Sequence, residues 1–292
     1  VGPRDGLQNE KQALTVEQRL NFINDLISAG LKSIEVGSCV SAKWVPQMAQ
    51  SDELFKLLPQ TTDVQFSLLT PNIKGFETAQ AVGCKEVAVF TAASESFTRK
   101  NINCSIDESF EKFSDVMNAA KAHNIRVRGY VSCIVDCPYE GAIAPEQVVK
   151  VVKRLYDMGC YEVSLGETIG TATPDRVQKV WQACLAELDS KVLAGHFHNT
   201  YGMAIANIYQ SLQQGIRVFD SSLAGLGGCP YAKGASGNVS TEDLFYLLSH
   251  MGFETGIDLE KLMQASQNIS NVLNRKSLSN YANAYWQTKC AS

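Results

Sequence analysis

The chain has 292 residues, 45% of them hydrophobic and 19% charged, enough to bury a large core without disulfide or metal staples. Its 26 basic and 30 acidic residues leave a net charge of −4. No long basic run occurs, so neither nucleic acid nor an anionic membrane surface is an expected partner. No stretch of about 18 apolar residues is present, which argues against a transmembrane helix.

The chain opens on Val1-Gly2-Pro3 without an initiator Met, and the numbering is expected to start inside a first strand near residues 1–3. From there one unit recurs: an amphipathic helix, a small or polar stop, then a short apolar strand. Ala29-Gly30-Leu31-Lys32-Ser33-Ile34-Glu35-Val36, His123-Asn124-Ile125-Arg126-Val127 and Gln214-Gly215-Ile216-Arg217-Val218 are three such transitions. Gly or Asn supplies the left-handed residue that ends the helix, and the β-branched run after it reads as a strand. Strands are expected near residues 1–3, 32–37, 63–70, 86–91, 125–133, 161–166, 192–198 and 217–222. Helices are expected near 15–29, 47–58, 73–82, 107–123, 145–158, 174–188, 203–214, 241–251 and 258–273. Stripes such as Val16, Leu20, Ile23 and Ile27 carry the helical period.

Strict βα alternation implies a parallel sheet, and eight units imply an α/β fold of the (β/α)8 TIM-barrel type with an additional C-terminal helix. The alternative, an open doubly wound sheet, would place a Gly-rich phosphate turn after the first strand. This chain has Arg4-Asp5-Gly6-Leu7-Gln8-Asn9 there. With no low-complexity linker, residues 1–292 read as a single catalytic domain in which 253–292 form a C-terminal helical extension.

The active site of such a barrel is built at the C-terminal strand ends, and polar residues gather there. They are Arg4, Asp5 and Gln8 after strand one, Glu35 and Ser38 at strand two, and Glu167 and Thr168 at strand six. His196-Phe197-His198 ends strand seven, and the run from Gly225 to Asn238 follows strand eight. In His-x-His both imidazoles leave one face, ~6.5 Å apart along the strand. That suits a metal or a hydrogen-bonded structural pair, and Asp5 at the same mouth favours the metal. Imidazole with carboxylate and an amide oxygen suits Mg2+ or Mn2+, whereas Zn2+ would favour thiolates. Arg4-Asp5 reads as a surface ion pair or as a metal carboxylate beside a cation that stabilises an oxyanion. Glu35 lies in an apolar strand and needs a partner such as Arg4. Glu167 follows the same logic.

Nine cysteines at irregular spacing read as reduced thiols in a cytosol-like compartment, most of them buried. Cys133-x-x-x-Cys137 lacks the second ligand pair of a zinc site. Cys229 sits between Gly225 and Gly237, where five of thirteen residues are glycine. That segment reads as a loop able to close over substrate, and the thiol as a plain loop residue or a general acid or base.

Four stretches carry a resemblance: Val1 to Glu10, Lys43-Trp44-Val45-Pro46-Gln47-Met48, Cys137-Pro138-Tyr139-Glu140-Gly141, and the run from Gly225 through Cys229-Pro230-Tyr231 to Asn238. They resemble motifs of the 3-hydroxy-3-methylglutaryl-CoA (HMG-CoA) lyase family, and the likeness covers almost the whole chain. The first motif and His-x-His are shared with a superfamily that includes isopropylmalate and homocitrate synthases. The Cys-containing loop is similar to the lyase branch.

The resemblance implies a metal-dependent retro-Claisen cleavage of HMG-CoA to acetoacetate and acetyl-CoA, as in leucine degradation and ketone-body metabolism. It implies Asp5, His196, His198 and Asn238 as ligands of Mg2+ or Mn2+, and Arg4 as the group that stabilises the thioester enolate. Cys229 matches the loop cysteine needed for turnover, Glu35 and Glu167 match acidic catalytic residues, and Gln8 lies at the substrate. Lys11, Asn101 and Ser105 resemble positions near the CoA moiety. The alternative within the superfamily, a synthase condensing acetyl-CoA with a 2-oxo acid, would usually add a lid or regulatory domain. A metal-binding barrel without catalysis would not need Arg4, Glu35 and Cys229 at one mouth. The chain departs from the pattern at Glu167, where animal relatives carry Asp, and at Phe197 and Asn199, where Cys and Asp are expected. Phe197 should face away from the site on a period-two strand. The ending Tyr285-Trp286-Gln287-Thr288-Lys289-Cys290 differs from the mitochondrial type, so a bacterial-type cytoplasmic enzyme is expected, with the C-terminal helix available to pair two copies as a homodimer.

Overall fold

The computed structural model describes residues 1–60, 63–228 and 237–291. A one-turn π-helix over Gly2–Gly6 opens the chain. The elements that follow are α1 (Val16–Ser28), β1 (Ser33–Ser38), α2 (Ser51–Lys56), β2 (Gln65–Leu69), α3 (Ile73–Ala81), β3 (Glu86–Ala92), α4 (Glu95–Ile102), α5 (Ile106–His123) and β4 (Arg126–Ser132). A short antiparallel pair, β5 (Asp136–Cys137) and β6 (Gly141–Ala142), precedes α6 (Pro145–Asp157), β7 (Glu162–Glu167), α7 (Pro174–Leu185), β8 (Leu193–Phe197), α8 (Ala204–Gln213) and β9 (Val218–Asp220). The chain then runs through α9 (Thr241–His250), α10 (Leu259–Val272) and α11 (Asn280–Ala291).

Seven strands form one sheet in the order β1-β2-β3-β4-β7-β8-β9, every pair parallel. Local signals explain the helices between them. Thr15 and Ser105 start α1 and α5 with reciprocal capping boxes to Gln18 and Glu108, which satisfy amide donors that the first turn leaves open. The inner faces then bury Phe22, Ile23 and Leu26 of α1, and Phe110, Phe113 and Val116 of α5, against strand residues such as Val87, Val127 and Val163. Trp181 of α7 is fully buried, and its indole N–H donates to Ser211 Oγ of α8 at 2.7 Å, which offsets the desolvation of its one polar atom. Six of the seven described cysteines are buried. Burial pushes the thiols of Cys84, Cys160 and Cys184 up to about 12, so they remain protonated packing residues at neutral pH.

Two expectations need correction. The strand expected near residues 1–3 does not form. Pro3 has no N–H for a ladder, and the carbonyl of Val1 accepts from the amides of Arg4, Asp5 and Gly6 instead, winding the segment into a wide turn. The sheet therefore ends at β1 and β9. Beside those edges, toward the N-terminal strand ends, a cavity of about 540 Å³ is lined by residues including Lys32, Glu86, Arg128 and Phe219. The second correction concerns helices: α4 and α11 were not anticipated. The sequence of α11, NYANAYWQTKCA, has no apolar stripe to announce it. No described helix is long and apolar enough to cross a membrane.

Glu242, at the start of α9, pins Ala224, just ahead of Gly225 in sequence. Both its carboxylate oxygens accept from Ala224 N–H, at 3.0 and 3.1 Å, and one also accepts from Ser266 Oγ of α10. Ala224 itself takes a positive φ of 56°. Burial raises the Glu242 carboxyl from 4.5 to about 7. A folded pKa above the unfolded value contributes stability that is complete below about pH 4.5 and lost as pH rises through about 7. Glu242→Gln keeps an acceptor for Ala224 and removes the titration. Between pH 5 and 8 the wild type should lose stability relative to this variant, with a slope approaching about 1.4 kcal/mol per pH unit. Denaturant melts of both proteins across that range measure the difference, and parallel curves would contradict it.

Candidate active site

The π-turn at the chain start places consecutive side chains Arg4 and Asp5 in the mouth of the sheet. Single π-turns are rare and often mark functional sites. Arg4 is buried. Its Nε donates to Glu35 Oε2 of β1 at 2.6 Å and its Nη1 to Asp5 Oδ1 at 2.8 Å. The expectation that Glu35 needs Arg4 is thus met in the geometry. Burial alone would lower the Arg4 pKa, but Glu35 and Asp5 outweigh it and hold the guanidinium charged. Its third nitrogen, Nη2, makes no hydrogen bond among the described residues. Glu35 Oε1 is likewise buried without a partner.

Asp5 is the junction of the site. Its Oδ1 accepts from Arg4 and, at 2.9 Å, from Gln8 Nε2. Its Oδ2 accepts from Asn238 Nδ2 at 2.8 Å and lies 3.9 Å from His196 Nε2. Burial raises the carboxyl, but Arg4 and then the two histidines pull it down to about 2, so Asp5 is ionised. Asn238 Nδ2 donates also to Leu226 O at 3.2 Å. Both partners can only accept, which settles the orientation of the amide. Asn238 Oδ1 is buried without a hydrogen bond among the described residues.

The two histidines fix the character of this cluster. His198 Nδ1 lies 2.6 Å from Thr168 O. A carbonyl only accepts, so Nδ1 carries the proton and Nε2 a lone pair. His196 Nδ1 lies 3.2 Å from Asp220 Oδ2, a carboxylate that accepts its proton, so in the neutral tautomer Nε2 carries the lone pair. The two Nε2 atoms face each other at 3.4 Å. Burial, then His196, lowers the His198 pKa to about 4, so this imidazole is neutral at pH 7. Two imidazole Nε2 atoms and a carboxylate converge, an arrangement that a cation between them would stabilise. Asp5, His196 and His198 each bring a donor atom within 4.8 Å of the others. This donor set fits a divalent ion.

Two glycines of the loop serve close approach. A Cβ on Gly237 would meet the backbone of Gly227 at 2.6 Å, and one on Gly227, at φ +123°, would meet Asn238 Nδ2 at 2.7 Å. The loop ends can meet, and Asn238 can reach Asp5, only because both positions lack a side chain. Cys229 and the rest of the loop to residue 236 lie outside the described residues.

The remaining expected site residues divide. Gln8 joins the cluster through Asp5. Glu167, fully buried at the end of β7, pairs in register with Phe197 rather than with His196. That places it on the face opposite the imidazole of His196. Its Oε1 accepts from Thr171 N–H at 3.2 Å, its Oε2 has no partner, and burial raises it to about 7. Ser105 is the cap of α5, its hydroxyl accepting from Glu108 N–H at 3.0 Å. Lys11 and Asn101 are exposed, Asn101 lying in α4. One residue was missed: Asp220, buried at the end of β9. A carboxylate at a C-terminal strand end was the available signal, since the same rule had singled out Glu35 and Glu167.

Comparison with known proteins agrees with this geometry. A sequence profile described as HMGL-like matches residues 1–269. The chain is 58% identical over 270 residues to hydroxymethylglutaryl-CoA lyase of Pseudomonas mevalonii, covering 92% of this chain and 90% of that protein. The crystal structure of hydroxymethylglutaryl-CoA lyase from Pseudomonas aeruginosa superposes with a TM-score of 0.96 at 54% identity, covering 98% of this chain and 96% of that one. An HMG-CoA lyase from Acinetobacter baumannii, solved in complex with coenzyme A and 3-methylmalate, gives a TM-score of 0.92 at 33% identity over 97% of this chain and 92% of that one. These likenesses make the fold an α/β, TIM-barrel-like one despite the strand that does not form near residues 1–3, and the chain belongs to the HMGL-like family.

Proposed function

We propose that this protein is a carbon–carbon lyase that cleaves HMG-CoA to acetoacetate and acetyl-CoA. The observation that carries the reading is the pair of imidazole Nε2 atoms at 3.4 Å beside Asp5, with a buried, charged Arg4 hydrogen-bonded to the same carboxylate. The name of the 58% identical relative supports the substrate, and the coenzyme A in the Acinetobacter relative supports an acyl-CoA partner.

Asp5, His196, His198 and Asn238 would hold Mg2+ or Mn2+. The ion supplies Lewis-acid polarisation of the substrate's hydroxyl and carboxylate oxygens. The residues of the chain do the rest. The C3 hydroxyl gives its proton to water at the mouth, the O–H electron pair forms the new C=O of acetoacetate, and the C2–C3 pair becomes a thioester enolate. Arg4, with Nε and Nη1 anchored on Glu35 and Asp5, turns Nη2 toward the enolate oxygen. Glu35 thus orients the guanidinium. Cys229 returns a proton to C2, a role resting on the resemblance and the place of Cys229 in its loop. Glu167, raised to about 7, accepts from the Thr168–Ala172 segment whose Thr168 carbonyl orients His198. We assign it a positioning role in which a longer carboxylate than Asp is accommodated. Gln8 orients Asp5, and Lys11, Asn101 and Ser105 lie toward the CoA. Residues 1–292 act as one catalytic domain, with α10 tied to α1 through Asn268 and Asp25, and the protein pairs as a homodimer.

Incubation with HMG-CoA and Mg2+ or Mn2+ should release acetoacetate, and Cys229→Ala should retain metal binding while losing most turnover. No acetoacetate, with thiol release from acetyl-CoA and a 2-oxo acid instead, would replace the lyase with the condensing synthase. Near-normal turnover of the Cys229 variant at saturating metal would remove that residue from the mechanism.

A further inference from the structure

Asp220 has no part in the steps above, yet it is buried, and it touches the cluster at one point. Its Oδ2 lies 3.2 Å from His196 Nδ1. Two side chains hold it there. Ser164 Oγ of β7 donates to the same Oδ2 at 2.7 Å, and Arg128 Nη1 of β4 donates to Oδ1 at 2.9 Å. Arg128 is itself held through Nε by Glu162 at 2.7 Å. Three strands, β4, β7 and β9, thus converge on one carboxylate whose remaining contact is a single ring nitrogen.

We propose that Asp220 is the positioning residue of His196. By accepting the Nδ1 proton it fixes the tautomer whose Nε2 lone pair faces Asp5 and His198, and the Arg128–Ser164 anchor fixes the ring plane. The proposal rests on the metal-binding reading of Asp5, His196, His198 and Asn238. It assigns the second nitrogen of a ligand histidine, a contact that typically governs ligand basicity and orientation. Thr168 O does the same for His198, but a backbone carbonyl cannot be exchanged by mutation, whereas Asp220 can.

Asp220→Asn tests it. Arg128 requires an oxygen at the Oδ1 position, so the amide nitrogen falls at the Oδ2 position and presents N–H to His196 Nδ1. The imidazole must then move its proton to Nε2 and point it into the cluster, an inversion that cripples a histidine without removing it. Mn2+ affinity of the folded variant, measured by calorimetry, should fall about 10- to 100-fold. In 15N spectra of the Mg2+-loaded wild type, His196 should show a protonated Nδ1, and in the variant a protonated Nε2. A purely structural Asp220 would lower the melting temperature and leave both readouts unchanged, and that result overturns the proposal. If Asp220→Asn does not fold, the wild-type spectrum decides: Nε2–H at His196 overturns the proposal, and Nδ1–H, with weakened Mn2+ binding in Ser164→Ala, sustains it. A wild type that binds no Mn2+ would instead overturn the metal reading beneath it, so the two failures are told apart.

Discussion

Arg4→Met is expected to lower kcat by about 10³-fold or more, with Mn2+ affinity changed by no more than a few-fold. Removing one preorganised donor to a developing oxyanion usually lowers turnover by about 10²–10³-fold, and Arg4 brings a full charge in a buried setting. Metal binding should survive because the two faces of Asp5 are divided. Arg4 occupies Oδ1, whereas Oδ2 is the oxygen near His196. Loss of the guanidinium leaves the carboxylate a stronger donor. It also leaves Asp5 and Glu35 buried without their cation, which destabilises by about 3–5 kcal/mol for a broken buried pair. Kinetics are therefore to be measured on the folded fraction at saturating Mn2+. Arg4→Lys should recover little, since an ammonium cannot bridge two carboxylates from fixed Nε and Nη1 positions. A collapse of metal affinity in Arg4→Met would make Arg4 an organiser of the site rather than the group that meets the enolate.

Asp5→Asn should abolish activity and weaken Mn2+ binding by about 10²-fold or more. Its neighbours explain the severity. Arg4, Gln8 and Asn238 all donate to the Asp5 carboxylate. An amide in its place turns an N–H against one of these donors and removes the carboxylate charge beside the two imidazoles. Carboxylates at divalent sites supply most of the electrostatic attraction. Calorimetry with Mn2+ and a turnover assay at raised metal concentration check the prediction. Full rescue of turnover by excess metal would show that Asp5 contributes affinity alone. Wild-type affinity in the variant would remove Asp5 from the ligand set.

Much of the fold was legible in the chain because βα units announce themselves locally. The stripe of Val148, Val151, Val152 and Leu155 became the buried face of α6, and the short stretch after Gly159 became β7. The misses share a cause. Residues 1–3 looked like a strand from their place in the repeat, but a ladder needs an N–H that Pro3 lacks and a neighbour that only the tertiary structure names. The helix α11 has no apolar period, and its side chains lean on α9 through contacts such as Tyr246 with Tyr281, which no local pattern encodes.

The sequence by itself determined the chemistry on offer: two imidazoles on one strand, an Arg-Asp pair on a turn, a carboxylate in an apolar strand, and a glycine-rich loop carrying one thiol. Side-chain type and the period of a strand suffice for that. Tertiary structure alone decided how these groups meet. It divided Asp5 between Arg4 and the histidines, set Asn238 Nδ2 on Asp5, placed Glu167 on the far face beside Phe197, and brought Asp220 under His196 from 24 residues away. Those outcomes depend on strand register and on the close backbone approach of Gly227 and Gly237. Register is a property of pairs of strands, so no single stretch of sequence contains it.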